Sequence, residues 1–323
     1  MEYTKIDGYD VSKYTLGTVQ LGMEYGIANK AGKPDLTRSF DILKTAVNEG
    51  VNTFDTSLHY GESEKILGEF FFDKKNIAST VYKPVICTKF KVDVKERYFL
   101  DAELEAGIEK IMRECVEASM QNLKIDKIPI YMLHDPKAIY KYGRIIASVM
   151  KKLKNENIIG TAGVSVYNCE EACEMLKYDV FEAIQLPMNI FDSRFIKSGL
   201  LKQLHQKEIA VFVRSIFLQG LFFLNPNELK GNLKDARKYL LMLNDLAERE
   251  GISVPALALS YIRDMDEVAS IVIGAETPEQ VKQNAALFNN TPKIKESIVN
   301  DISHMFDDIP EHILIPSMWN LQE

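Results

Sequence analysis

Four side chains of different acid-base character stand at or just beyond the ends of three short apolar runs. Asp55 and Tyr60 follow the first run, Lys89 lies near the end of the second, and His134 ends the third. Reducing a carbonyl group requires a proton donor to the developing oxyanion as well as a hydride donor. A tyrosine suits this task when a nearby ammonium group lowers its pKa. We therefore predict Tyr60 as the acid and Lys89 as the nearby charge. Asp55 would hold Lys89 in place, and His134 would orient the substrate oxygen.

Each of these residue types, taken alone, has a more ordinary explanation. An aspartate after a strand usually caps a helix, a tyrosine often edges an apolar core, a lysine is usually solvated, and a histidine usually has a structural role. Their shared placement argues against four separate explanations, because the carboxyl ends of neighbouring parallel strands converge on one site.

The sequence alternates a short apolar run with a longer segment of helical periodicity, eight times over. The predicted strands cover residues 14–20, 52–57, 85–90, 128–134, 160–166, 183–188, 210–216 and 270–275. The predicted helices cover residues 37–48, 63–72, 102–122, 143–155, 169–176, 196–206, 233–249 and 278–287. This pattern predicts an α/β fold, a (β/α)₈ TIM barrel, as a single domain over residues 1–323. An extra helix over residues 253–263 precedes the last unit, and a C-terminal tail from residue 294 lies over the barrel. Trp319 in that tail either helps to close a substrate pocket or packs against the side of the barrel.

Composition excludes several classes of protein. The chain has 323 residues, 46% of them hydrophobic, a formal charge of −7 and a pI near 5.5. The acidic balance argues against nucleic-acid binding, which needs a surplus of lysine and arginine. No run is long and apolar enough for a membrane-spanning helix, so we expect a cytoplasmic protein without a membrane partner. Four sparse cysteines predict neither disulfides nor a metal site, and the sequence leaves the oligomeric state open.

The residues around the first two predicted strand ends form the string Asp-x₄-Tyr-Gly-x-Ser-Glu-x₂-Leu-Gly, which begins at Asp55. Together with Lys89 and the Leu-His-Asp-Pro string at His134, it resembles the aldo-keto reductase superfamily, from about residue 16 to residue 284. The resemblance implies a barrel that binds NAD(P)H without a Rossmann domain and reduces a small-molecule aldehyde or ketone. It also implies the roles of general acid for Tyr60, of pKa-lowering pair for Lys89 and Asp55, and of orienting residue for His134.

The resemblance further implies a dinucleotide site at the later strand ends. Ser165 and Gln185 match the residues that bind the nicotinamide carboxamide, although Val166 replaces a frequent asparagine. Arg214 stands where relatives stack an aromatic ring on nicotinamide; it either stacks there or turns away into an ion pair. The predicted cofactor-binding residues are Gly17, Thr18, Asp55, Ser165, Gln185, Arg214, Ser215, Phe217, Leu218, Gly220, Gly274, Glu276, Gln280, Gln283 and Asn284.

Two departures from the family pattern concern cofactor and substrate preference. Glu276 stands where a basic residue is expected to bind a 2′-phosphate, so we expect a lean toward NADH, unless Glu276 points to water. Val19 replaces an aromatic pocket wall, and the polar loop over residues 19–29 suggests a sugar or sugar derivative, as in a bacterial subgroup linked to polysaccharide sugars that the chain resembles. The predicted substrate pocket contains Val19, Tyr60, His134 and Trp319.

Two other functions stay open at this point. A redox-sensing regulatory subunit of the same superfamily would bind the dinucleotide and turn over slowly. A barrel isomerase or lyase would use the same polar groups without a nicotinamide.

Overall fold

Eight parallel strands close into a barrel in a computed structural model that describes residues 1–27, 32–73, 83–94 and 101–321. An N-terminal antiparallel hairpin, β1 (Tyr3–Ile6) and β2 (Tyr9–Ser12), precedes the barrel. The barrel strands follow one another around the ring in chain order, with the last paired to the first. They are β3 (Tyr14–Gly17), β4 (Thr53–Asp55), β5 (Val85–Phe90), β6 (Ile128–Leu133), β7 (Ile159–Ser165), β8 (Phe181–Pro187), β9 (Ala210–Arg214) and β10 (Val268–Gly274).

Helices cover the outside of the ring, so several strands are buried along their whole length, as in parallel sheets generally. The predicted (β/α)₈ fold is therefore confirmed, including the extra helix before the last strand. The α-helices are α1 (Val19–Gly22), α2 (Leu36–Asn48), α3 (Ser63–Phe72), α4 (Asp101–Leu123), α5 (Lys137–Asn155), α6 (Cys169–Met175), α7 (Arg194–Lys197), α8 (Leu200–Gln206), α9 (Arg237–Arg249), α10 (Val254–Arg263), α11 (Pro278–Asn290), α12 (Glu296–Met305) and α13 (Glu311–Leu314). In the described ranges, no helix is both long and apolar enough to cross a membrane.

Some predicted boundaries were wrong for local reasons. The strand predicted over residues 14–20 ends at Gly17 because the chain turns into α1, and Thr18 donates its backbone N–H to Asp55 O at 2.9 Å. The helix predicted over residues 196–206 is divided into α7 and α8 at Gly199, whose φ of 73° is left-handed and favours glycine. The helix predicted over residues 233–249 begins as a 3₁₀ turn, Gly231–Ala236, before α9.

The hairpin of β1 and β2 closes the amino end of the barrel, and the sequence pattern did not predict it. Ile6 and Val11 are buried against the inward side chains of Val85, Ile130 and Phe212. Burying such side chains contributes about 1.5–3 kcal/mol each. The carboxyl end of the same barrel is thereby left as the open face.

Candidate active site

Asp55 and Lys89 form a buried ion pair at the carboxyl end of β4 and β5. Lys89 Nζ lies 2.6 Å from Asp55 Oδ1, and it also donates to Thr56 O at 2.9 Å. Gln185, from β8, donates its Nε2 to the same Asp55 oxygen at 2.7 Å. Burial by itself lowers the pKa of Lys89, but the adjacent Asp55 reverses this and holds that pKa above its ordinary value. Lys89 is therefore a fixed ammonium charge.

Tyr60 lies beside this charge, after the turn that follows β4. Lys89 Nζ is 5.2 Å from the centroid of the Tyr60 ring. Burial raises the pKa of Tyr60 above 10.0, and the opposing effect of Lys89 does not overcome it. Lys89 thus acts on the Tyr60 pKa in the expected direction, but burial keeps that pKa above its ordinary value rather than near neutrality. Tyr60 is a protonated phenol at neutral pH, which is the state of a proton donor.

His134 lies against Tyr60 from the end of β6. The two ring centroids are 5.4 Å apart, with the planes at 83° to each other. Burial, reinforced by the charge of Lys89, lowers the pKa of His134 to about 2. The imidazole is therefore neutral, and only one of its two nitrogens carries a proton.

Ser57 contacts one of the two imidazole nitrogens, Nδ1, and sequence reasoning missed it. Its fully buried hydroxyl lies 3.1 Å from His134 Nδ1 and 3.2 Å from Lys89 O. Lys89 O already accepts from Leu58 N at 3.1 Å. A carbonyl oxygen has two lone pairs, so Lys89 O accepts from Ser57 Oγ as well as from Leu58 N, and the tautomer of the imidazole sets the direction of the Ser57–His134 hydrogen bond. The available signal was a polar residue two positions after Asp55.

An open cleft of about 910 Å³ runs from Tyr60 to the amino end of α11. Most predicted cofactor and pocket residues line it: Gly17, Val19, Asp55, Tyr60, Gln185, Arg214, Ser215, Phe217, Gly220, Gly274, Glu276, Gln280, Gln283 and Asn284. Other predicted residues do not line it: Thr18, Ser165 and Leu218, which are buried, and His134, which is partly buried beside Tyr60. Gln20, Tyr25 and Gln219 also line the cleft and were not predicted.

Arg214 faces this cleft from the end of β9. Its guanidinium carbon lies 4.7 Å from the centroid of the Tyr167 ring, and Nη2 donates to Val166 O at 3.1 Å. Within the described residues, no carboxylate is close enough to form an ion pair with it. The alternative in which Arg214 turns away into an ion pair is therefore wrong.

The loop after β9 crosses the cleft in a left-handed path. Ser215, Leu218, Gln219 and Gly220 have φ values of 64°, 46°, 51° and 97°. For the three residues that are not glycine this costs about 1–2 kcal/mol each. Gln219 Nε2 donates to the Tyr25 hydroxyl at 3.1 Å, which joins this loop to the one after β3. The two loops together form the outer wall of the cleft.

The far end of the cleft lies at the first turn of α11. Thr277 caps this helix by accepting from Gln280 N at 3.1 Å, while Gln280 Oε1 accepts from Glu276 N at 2.6 Å. Burial raises the pKa of Glu276, and the charge of Arg38 on α2 opposes that shift. Asn284 Nδ2 lies 3.4 Å from the Tyr14 hydroxyl. Glu276 therefore lines the cleft, and the charge of Arg38 acts on it.

Trp319 does not contribute to the pocket predicted for it. It is absent from the described residues that line the cleft. Its indole Nε1 instead donates to Ile313 O at 3.1 Å, and the adjacent Asn320 N donates to Asn232 Oδ1 at 2.9 Å. The tail is therefore held against the 3₁₀ turn before α9, and Trp319 packs on the core from outside.

The cleft fits a nicotinamide dinucleotide. Gln20 Oε1 is buried in its wall and has no hydrogen-bond partner among the described residues. A Cβ at Gly274 would lie 2.3 Å from the Gln20 amide, so the glycine preserves this wall. An unpaired acceptor in a long cleft with several side-chain amides suits a ligand that carries hydroxyl and amide donors.

Comparisons with known proteins agree with this geometry. The model of the Aldo/keto reductase family matches residues 13–304. The NADH-specific methylglyoxal reductase of Escherichia coli (strain K12) is 29% identical over 306 residues, covering 86% of this chain and 90% of that protein. An aldo-keto reductase of Bacillus subtilis (strain 168) is 26% identical over 305 residues, covering 87% of each chain. A solved aldo-keto reductase of Bacillus halodurans in its holo form has a TM-score of 0.75 at 22% identity, covering 94% of this chain and 96% of that chain.

The family match spans the whole barrel, including the strands that carry Asp55, Lys89 and His134. It agrees with the parallel eight-stranded ring and with the cleft at its carboxyl end. The chain therefore belongs to the aldo/keto reductase family and is an NAD(P)H-dependent oxidoreductase.

Proposed function

We propose that this chain reduces an aldehyde or ketone to an alcohol with Tyr60 as the proton donor. The observation that carries the proposal is a protonated, half-buried Tyr60 beside the buried Asp55–Lys89 pair at the open end of the barrel. A bound NAD(P)H supplies the hydride. As the proton leaves Tyr60, the fixed ammonium of Lys89 stabilises the phenolate. Neutral His134 donates from Nε2 and orients the substrate oxygen.

Replacing Tyr60 with Phe tests this role. The reduction rate should fall by about 10²- to 10⁴-fold, because the acid is lost, whereas dinucleotide affinity should change less than about twofold. Tyr140→Phe, at an exposed position of α5, is the matched control and should keep full activity. Undiminished turnover by the Tyr60 variant would show that the proton comes from another group.

We assign the dinucleotide contacts along the cleft in the order of the strands. Ser165 and Gln185 hold the nicotinamide carboxamide, and Gln185 is already positioned by its bond to Asp55. The loop from Ser215 to Gly220, including Phe217 and Leu218, holds the pyrophosphate, with Gly17 and Thr18 opposite. Gly274 and the first turns of α11 hold the adenosine end, through Glu276, Gln280, Gln283 and Asn284.

Glu276 supports a preference for NADH over NADPH. A carboxylate in the cleft accepts from a free ribose 2′-hydroxyl but repels a 2′-phosphate. The Escherichia coli relative is named as NADH-specific, which agrees with this lean. Paired titrations should show tighter binding of NADH, and Glu276→Gln should narrow the difference by strengthening NADPH binding. Tenfold tighter NADPH binding by the wild type, about 1.4 kcal/mol, would contradict the lean.

We further propose a hydroxylated substrate such as a sugar derivative. Val19 leaves space where an aromatic wall was expected, and Gln20 and Tyr25 bring polar groups to the cleft. Residues 28 and 29 of the loop used for this prediction lie outside the described residues. A higher kcat/KM for glyceraldehyde than for butanal is the expected result. The reverse order would contradict a hydroxylated substrate.

A further inference from the structure

Arg214 is an unneutralised cation at the reacting end of the cleft. Asp55, which lines the same end, is already paired with Lys89 at 2.6 Å. No carboxylate of the described residues pairs with Arg214, which contacts the carbonyl oxygen of Val166 and the face of Tyr167. The charges of the Asp55–Lys89 pair cancel, which leaves the guanidinium as a cation that lines the cleft.

The guanidinium also has free donor capacity in a fixed orientation. Arginine carries five N–H donors in a planar fork, and the contact with Val166 O uses one of them. Stacking on Tyr167 holds the plane of that fork. A planar, oriented guanidinium is suited to bidentate binding of a carboxylate or a phosphate.

Arg214 acts on the groups that face the substrate. Its charge lowers the pKa values of Tyr25, Tyr60 and His134, although burial dominates each of the three. Tyr25 and Tyr60 line the cleft together with Arg214. An anion bound to this guanidinium therefore lies within reach of the carbonyl that Tyr60 protonates.

We propose that the carbonyl substrate carries an anionic oxygen group, a carboxylate or a phosphate, that binds the guanidinium of Arg214 beside Tyr167. This inference rests on the proposed reductase function and names the class of its substrate. The anion neutralises a half-buried cation that has no other charged partner among the described residues. Charge-assisted bidentate hydrogen bonds then fix the distance between the anionic group and the reacting carbonyl.

Matched pairs of substrates test the proposal with the full chain and NADH. The pairs are succinic semialdehyde with butanal, glucuronate with glucose, and glyceraldehyde 3-phosphate with glyceraldehyde. The first two pairs test a carboxylate and the third tests a phosphate. The anionic member of at least one pair should have the higher kcat/KM. The loss of kcat/KM in Arg214→Gln should be about 10- to 100-fold larger for that anionic member than for its neutral partner.

Two control variants and one binding experiment separate the outcomes. Arg214→Lys keeps the charge but loses the planar fork, so it should restore part of the preference, and Arg237→Gln at an exposed site should change nothing. Oxamate, a carboxylate that is not reduced, should bind the wild type in the presence of NADH and not bind Arg214→Gln.

Equal losses of kcat/KM for both members of each pair, together with weaker NADH binding, would assign Arg214 to the cofactor and overturn the proposal. Reduction of neutral carbonyls without any anion preference would overturn it while leaving the reductase function intact. Failure to reduce any carbonyl would instead count against the reductase function, and oxamate binding would then still decide the anion site.

Discussion

The two ends of the barrel use the same strands for different purposes. At the amino end, the β1–β2 hairpin buries the apolar side chains of Ile6 and Val11 against Val85. At the carboxyl end of the same β5 strand, Lys89 is equally buried but pairs with Asp55. The two residues lie in the same six-residue strand, but the burial of Val85 stabilises the fold whereas the burial of Lys89 holds a charge in place. The comparison indicates that stability and chemistry can be altered separately.

Lys89→Met should have the largest effect, because it alters both the catalytic groups at the carboxyl end of the barrel, here called the chemical end, and the stability of the folded protein. It leaves Asp55 buried without its cation, which should lower the unfolding free energy by about 3–5 kcal/mol. The reduction rate of the remaining folded protein should fall by about 10²-fold or more, since the phenolate of Tyr60 loses its stabilising charge. Denaturant unfolding and steady-state kinetics measure the two effects. Lys65→Met, at an exposed position of α3, should stay within about 0.5 kcal/mol of the wild type.

Ile130→Ala breaks the apolar end alone. Ile130 is fully buried against the hairpin, so truncation should cost about 2–5 kcal/mol of unfolding free energy. The kcat of the folded protein should stay within about threefold of the wild-type value. A loss of kcat as large as that of Lys89→Met would show that the two ends are not separable.

Lowering the pH should destabilise the chemical end through His134. Its pKa is about 2 in the folded protein and near 6.5 when unfolded, so unfolding takes up a proton below pH 6.5. Its contribution is fully present above pH 6.5 and is lost as the pH falls from there toward about 2. Between pH 7 and pH 5, the unfolding free energy of the wild type should fall by up to about 2 kcal/mol more than that of His134→Asn. Parallel stability curves for the two proteins would contradict the low pKa.

Ser57→Ala should have the smallest effect and sharpens the view of the chemical end. This variant removes the hydroxyl that contacts His134 Nδ1, and with it a partner for the proposed Nε2–H tautomer. We expect kcat to fall about tenfold with KM of the dinucleotide unchanged, and the ¹⁵N shifts of the His134 ring to change. Ser57→Thr keeps the hydroxyl and should retain most of the activity. Unchanged ring shifts in Ser57→Ala would contradict the assignment of the tautomer.

The elements that depend on local periodicity were predictable, and those that depend on distant contacts were not. The repeat of apolar runs and helical segments predicted the barrel and α10. A barrel strand is buried on both faces and reads as a continuous apolar run, whereas a helix is buried on one face and shows apolar residues at helical spacing. The hairpin escaped prediction since each of its strands has four residues, too few for a clear alternation. The Gln219–Tyr25 contact joins residues that are 194 positions apart, so no local signal could indicate it.

The sequence by itself determined which residues stand at the strand ends. Each unit of the repeat is one apolar run followed by one helical segment, so the end of each strand can be located from the pattern. It therefore determined the fold, the family resemblance and the candidates Asp55, Tyr60, Lys89 and His134. Only the tertiary structure decided the direction of the Tyr60 pKa shift, since burial by distant segments outweighs one neighbouring charge. It likewise decided that Arg214 lines the cleft with no carboxylate partner among the described residues, and that Trp319 packs outside the cleft. Such outcomes depend on which surfaces meet in space, and a linear pattern does not contain that information.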